Sequence, residues 1–277
     1  MIPLFPHFTP LALELKDEIQ AITAHYPSYS DYGFTSMWSY DTESSARICL
    51  LNQNLVLRYG DYITGDYFYS FLGAAEIDAT AKTLIAYAAE HKMDTTLKLI
   101  PQIVIDHFKH PEHFVISEDR DNFDYILSVP ELVAMHGPHY QNKRNLVRRF
   151  LRAYEHEMKT KPLELSDATV RDEIIQTFHD WAASRNKSSE EIAVELEAIK
   201  RMLNDHDKFD LNTIGIFINN RLRGFSIFEF VHDGHGVVHY EKADVGFEGI
   251  FYYLKQQAAV AMHSNGVSHL NYMQDLG

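Results

Sequence analysis

The run Val237-Val238-His239-Tyr240-Glu241-Lys242-Ala243-Asp244 reads as a strand, followed by the stretch Val245-Gly246-Phe247-Glu248-Gly249 and a helical pattern from Ile250. His239 and Glu241 are two residues apart, so strand alternation places them on one face. A carboxylate or imidazole there has the chemistry to take a proton from an amine or hydroxyl as it attacks a carbonyl carbon. Glu241 is the candidate base, with His239 orienting substrate beside it. A buried ion pair at Glu241 fits the same residues. The loop that follows opens a helix, whose first amides lack intrahelical acceptors and suit an anion. Lys242, Asp244, Gly246 and Gly249 therefore join the candidate binding set. A structural turn with glycine at positive φ is the alternative.

A second candidate lies upstream. QNKRNLVRRFLR, residues 141 to 152, holds five basic residues and no acidic one in a chain of formal net charge −14. On a helix Arg144, Arg148 and Arg152 share a face, while Leu146, Phe150 and Tyr154 point to a core. With Lys143 and Arg149, this face could receive the phosphates of tRNA or a CoA-type polyanion. It could equally be solvated and paired with the chain's surplus carboxylates, among them Asp119, Asp121 and Asp124.

Composition excludes several classes. The single Cys49 rules out an intrachain disulfide and a multi-cysteine zinc site, and fits a reducing, cytoplasmic setting. His232 and His235 flank a turn without a clear third ligand, so no metal site is expected. No apolar run approaches the roughly 18 residues that span a bilayer, so no integral membrane segment is expected. An acidic chain does not coat nucleic acid broadly, and any polyanion must be met by a local patch. No Walker loop, Gly-x-Ser-x-Gly or Cys/His pair is present, which leaves nucleotide hydrolysis, serine hydrolysis and thiol chemistry without support.

The elements that must position these residues alternate in type. ARICLLNQNLVLRYG predicts two strands around Asn52–Asn54, and YFYSFLG, TTLKLI, HFVISED and FDYILSV predict further strands. EIDATAKTLIAYAAEHK predicts a helix and IPQIVIDHFKH a short one. VPELVAMHG and the segment entered at Pro138 predict consecutive helices. SDATVRDEIIQTFHDWAASR and SSEEIAVELEAIKRMLNDH follow, the latter with Ser188 and Glu191 spaced as a capping box. LNTIGIFINN, RLRGFSIFEFV and GVVHYEKAD predict antiparallel strands, joined through Asn219–Asn220 and Asp233–Gly234. A helix ending at Gly266 and a strand from Ser268 complete the order. This is an α+β chain of two mixed sheets with flanking helices, read as two halves, 1–136 and 137–277, linked by helix 138–154.

Several of these stretches together resemble one family. Glu118-Asp-Arg-Asp-Asn122 with Asp124-Tyr125, Lys143-Arg144-Asn145, Arg149-Phe150, His239-Tyr-Glu241-Lys242-Ala-Asp244 and the terminal Gln274-Asp275-Leu-Gly277 occur in the order found in proteins similar to the C-terminal domain of phosphatidylglycerol lysyltransferase. The resemblance implies a tandem GNAT-like (acyl-CoA N-acyltransferase) fold, related to aminoacyl-tRNA-dependent transferases that build peptidoglycan bridges and aminoacylate lipids. It implies acyl-CoA or aminoacyl-tRNA as donor and a small-molecule or lipid-like acceptor; Asp275, beside the end of the last strand, could share the site and could equally be a solvated end. Ala243-Asp-Val-Gly246-Phe-Glu departs from the Gln/Arg-x-x-Gly-x-Gly/Ala phosphate loop of GNAT enzymes. The resemblance also implies that the chain stops short of a basic segment with which relatives continue. Two functions remain open: transfer of an acyl or aminoacyl group to an amine or hydroxyl, and a non-catalytic tandem-GNAT protein that binds a small molecule or partner.

Overall fold

The structure is a computed structural model and describes residues 1–60, 65–184 and 189–274. Ser188, Asp275 and the last two residues lie outside this set. Two compact units divide the described chain, Met1–Phe123 and Asp124–Gln274.

The first unit contains β1 (Thr9–Pro10), α1 (Lys16–Thr23), α2 (Phe34–Tyr40), β2 (Arg47–Leu51), β3 (Asn54–Gly60), β4 (Tyr67–Leu72), α3 (Ile77–Glu90) and α4 (Gln102–Ile105). The strands form an antiparallel sheet in the order β1-β2-β3-β4. Asn52 and Gln53 turn the β2–β3 hairpin in the left-handed region, which asparagine tolerates. Ile48, Leu55, Leu57, Phe71 and Leu84 of α3 are fully buried. Two expected strands do not form. In TTLKLI the Lys98 amide bonds the Tyr69 carbonyl, and Leu99 then turns left-handed, which ends any ladder. In HFVISED, Val115 and Ile116 are exposed and lie outside both sheets, so β propensity there has no partner to act on.

The second unit contains β5 (Asp124–Ser128), α5 (Val129–Ala134), α6 (Gln141–Tyr154), β6 (Met158–Lys161), α7 (Ala168–Ala182), α8 (Ser189–Asn204), β7 (Leu211–Ile218), β8 (Arg221–Phe230), β9 (His235–Ala243), α9 (Ile250–Ser264) and β10 (His269–Gln274). Its sheet runs β5-β10-β9-β8-β7-β6. β9 and β10 are parallel, with α9 as their crossover, and the other pairs are antiparallel. Because β5 pairs with β10, residues 124–136 belong with this sheet, and the division falls earlier than the expected break after 136. Both units are mixed assemblies of sheet and flanking helices.

Three local features of the second unit set its chemistry. α9 packs on the face that carries Phe228, Val238 and Leu270, through Ala258, Ala259 and Met262, whereas α7 meets the other face, where Thr177 Oγ1 donates to the Leu222 carbonyl. β9 bulges: Ile227 faces Tyr240 and Phe228 faces Val238, so His239 is an extra residue. The β9–β10 ladder ends at Val237 and Asn271, although both strands continue.

Candidate functional site

Glu241 sits opposite Ser226 on β8 and is 7% exposed. Its Oε1 accepts a hydrogen bond of 2.6 Å from the hydroxyl of Tyr272, the first residue past the end of the β9–β10 ladder. Its Oε2 has no hydrogen-bond partner among the described residues, and neither does the Ser226 hydroxyl. That hydroxyl stands near enough to favour the carboxylate, though outside hydrogen-bonding geometry. Burial pushes the Glu241 carboxyl above the ordinary carboxylate range, and Lys255, Tyr272, Ser226 and Lys242 oppose the push without cancelling it. A buried carboxyl with a raised pKa and an unused oxygen is equipped to accept a proton.

Lys255 comes from α9, about 7.5 Å along the helix from its start at Ile250, at a rise of about 1.5 Å per residue. Its Nζ lies 3.6 Å from the centroid of the Tyr272 ring and 5.0 Å from that of Phe251. Burial pulls the Lys255 ammonium below the ordinary lysine value; Glu241 resists this and Lys143 of α6 adds to it. Lys143, whose ammonium lies 5.2 Å from the centroid of the Tyr140 ring, is thereby an electrostatic neighbour of the site. Lys255 and Tyr272 escaped the sequence reading. Lys255 lies on a helix that reads as purely structural, and only the end of the parallel ladder brings Tyr272 across to Glu241.

The bulge separates the two residues expected to share a face. Counted from Val238, the extra residue leaves Glu241 on the α9 face with Ser226 and Phe228, while the His239 Nε2 pairs with Glu229 Oε2 at 2.9 Å. Glu229 alternates with Phe228 and so faces away from α9. On that side Lys242 pairs with Glu195 Oε1 of α8 at 2.6 Å and lies 4.0 Å from the centroid of the Trp181 ring. His239 and Lys242 thus lie on the opposite face from the Glu241 carboxyl, with Lys242 still in electrostatic reach of it.

The loop before α9 satisfies itself. Asp244 Oδ1 accepts from the Gly246 amide at 3.0 Å, and Asp244 Oδ2 pairs with Arg223 at 3.1 Å. The loop's own carboxylate stands where a bound anion would take an amide. The left-handed residue is Gly249, at φ 93°, rather than Gly246. A Cβ on Gly249 would lie 2.4 Å from the Leu146 carbonyl oxygen, so the start of α9 lies flush against the backbone of α6.

On α6, Val147 and Phe150 are buried. Arg144 donates to the carbonyls of Met135 and Gly137, and so closes the end of α5. Arg149 forks onto both oxygens of Glu248, at 2.6 and 2.7 Å. Both partners of this pair are mostly exposed, which keeps its net worth small. Glu248→Gln is expected to change unfolding free energy by less than about 1 kcal/mol in urea titration. Arg148 and Arg152 are exposed and make no side-chain hydrogen bond or ion pair among the described residues. They stand on the outward side of the helix, whereas Lys143 lies one turn before Val147 on the side that faces Lys255.

The phosphatidylglycerol lysyltransferase C-terminal family matches residues 21–275. A conserved protein of unknown function from Bacteroides thetaiotaomicron shares the fold at a TM-score of 0.82 and 22% identity, over 100% of this chain and 92% of that one. The C-terminal domain of a protein described as a lysylphosphatidylglycerol synthetase, from Agrobacterium fabrum, gives 0.62 and 11%, over 95% and 77%. The L-PGS structure from Bacillus licheniformis gives 0.57 and 11%, over 98% and 77%. No curated protein matches the chain.

Proposed function

We infer function from membership and site together: the chain belongs to the phosphatidylglycerol lysyltransferase C-terminal family, and it carries a buried, partly unpartnered carboxylate suited to acyl transfer. It is an acyl- or aminoacyl-transferase-like protein. Our reading is that it moves an aminoacyl group from tRNA to a hydroxyl or amine acceptor. The single observation behind the transferase reading is Glu241, whose Oε2 lacks a hydrogen-bond partner among the described residues.

In the reaction, the acceptor oxygen or nitrogen attacks the ester carbonyl of the aminoacyl-tRNA and gives its proton to Glu241. The new bond to the carbonyl carbon forms as the bond to the tRNA oxygen breaks. Glu241 returns the proton to that leaving oxygen, so the carboxylate is regenerated. Acyl-CoA is the less favoured donor, because Asp244 and Glu248 occupy the loop where its pyrophosphate would need positive charge. Arg148 and Arg152 on the outward face of α6 would hold donor phosphates, with Lys143 contributing from the start of the helix.

The test is transfer of label from a mixture of radioactive aminoacyl-tRNAs to phosphatidylglycerol vesicles and to soluble amines, with labelled acetyl-CoA in parallel. Label from tRNA in either acceptor supports the reading, and label from CoA alone reverses the donor. Binding of tRNA without any transfer returns the protein to the non-catalytic class. A Lys143→Gln, Arg148→Gln, Arg152→Gln triple variant is expected to weaken tRNA binding and to lower the slope of log K against log salt by about 2. An unchanged slope would remove α6 from the interface.

A further inference from the structure

Tyr272 touches both charges of the Glu241 cluster. Its hydroxyl donates to Oε1 of Glu241 at 2.6 Å, and the face of its ring carries the Lys255 ammonium at 3.6 Å. Phe251, one turn earlier on α9, flanks the same ammonium. Lys255 makes no hydrogen bond or direct ion pair with a described residue, so its charge acts on Glu241 through space and across the phenol. Such action is strong only out of water, where the effective dielectric falls well below that of the solvent. The groups around the carboxylate are few: Ser226 from β8, Tyr272 from β10, Lys255 from α9, Lys143 from α6 beyond it, and Lys242 on the opposite face.

We propose that Lys255 is a positioning residue for Glu241: its ammonium, seated on the Tyr272 ring, holds the buried carboxylate in its charged form and fixes the phenol that orients it. The role assigned to Glu241 under the proposed function is the premise for calling this positioning. The coupling itself does not depend on which reaction is run. A base must be ionised before it can take a proton, and a carboxyl this deeply buried tends to stay neutral. Burial acts on both groups in the direction of neutrality, and each charge opposes that tendency in the other. The two therefore titrate as a pair.

The experiment needs no substrate. The whole chain, labelled with 13Cδ-glutamate and 13Cε-lysine, is titrated by NMR as wild type, Lys255→Met, Lys255→Arg and Glu241→Gln. The Glu241 signal is identified by its loss in the Glu241→Gln protein. Expected results are a higher carboxyl midpoint in Lys255→Met, a midpoint near wild type in Lys255→Arg, and a lower Lys255 midpoint in Glu241→Gln. A Glu241 midpoint unmoved in Lys255→Met overturns the proposal. Should Lys255→Met not fold, the reciprocal shift of Lys255 in Glu241→Gln tests the same coupling, and no shift there overturns it equally. Absence of any transferase activity would fail the proposed function while leaving this titration result standing.

Discussion

Glu241→Gln is expected to lower the turnover of label transfer by about 10²-fold or more, with substrate affinity changed only a few fold. Glutamine keeps the size of the side chain and still accepts the Tyr272 hydrogen bond at its carbonyl oxygen, but it cannot take a proton. The loss should therefore fall on the chemical step. Stability should move the other way. Burial raises the Glu241 carboxyl in the folded state above its unfolded value, so its contribution to stability is full at low pH, below the unfolded value. That contribution is lost as pH rises through the folded value. The Gln variant has no such loss, and near neutral pH it should be at least as resistant to urea as the wild type. Transfer assays paired with urea titrations at acid and neutral pH check both arms. A variant that turns over normally with an unchanged pH profile rules out Glu241 as the base, and one that fails to fold points to a structural ion pair.

Gly249→Ala should destabilise the second unit by about 2 to 3 kcal/mol, a large fraction of a domain's stability. Two independent effects add. The residue sits at φ 93°, where a side chain is strained. Its new methyl would also meet the Leu146 carbonyl at 2.4 Å and the Phe150 Cβ at 3.1 Å. The nearer obstacle is backbone, which no rotamer change can clear. Gly246→Ala supplies the control: that residue lacks the left-handed conformation, and its nearest neighbour would be the Asp244 Oδ1 at 3.1 Å. Urea midpoints should fall clearly for the first variant and much less for the second. Equal midpoints would mean that α9 shifts away from α6 at little cost.

The hairpins and helices of the second unit were legible because each has a local signal. Asn219–Asn220 and Asp233–Gly234 turn the strands, and Gly266 ends α9 in the left-handed region. The bulge at His239 was not legible. Strand alternation counts residues evenly, and nothing in Val238-His239-Tyr240 marks the one that has no partner on β8. Glu241 stands out in the sequence by its residue type, whereas its neighbours Tyr272 and Lys255 do not, because their approach to it depends on where a parallel ladder ends and on which way α9 is turned. The basic helix was legible as a charge run, but its division of labour was not. Arg144 and Arg149 look like Arg148 in sequence, and only the carbonyls of Met135 and Gly137 and the carboxylate of Glu248 set them apart. The missing strands in TTLKLI and HFVISED show the same limit, since a strand exists only beside another.

The contact between Gly249 and Leu146 also has a mechanical meaning. Most helix pairs meet through side chains, which hop between rotamers and absorb small displacements as a cushion would. Here side chains such as Phe150 do pack on Ile250 and Leu254, but at residue 249 main chain rests directly on main chain. At that point the helices meet through backbone that no rotamer change can move aside, and α9 carries Lys255 less than two turns further on. Residue 249 is thus a fixed point of contact between the helix that carries the exposed arginines and the helix that carries Lys255.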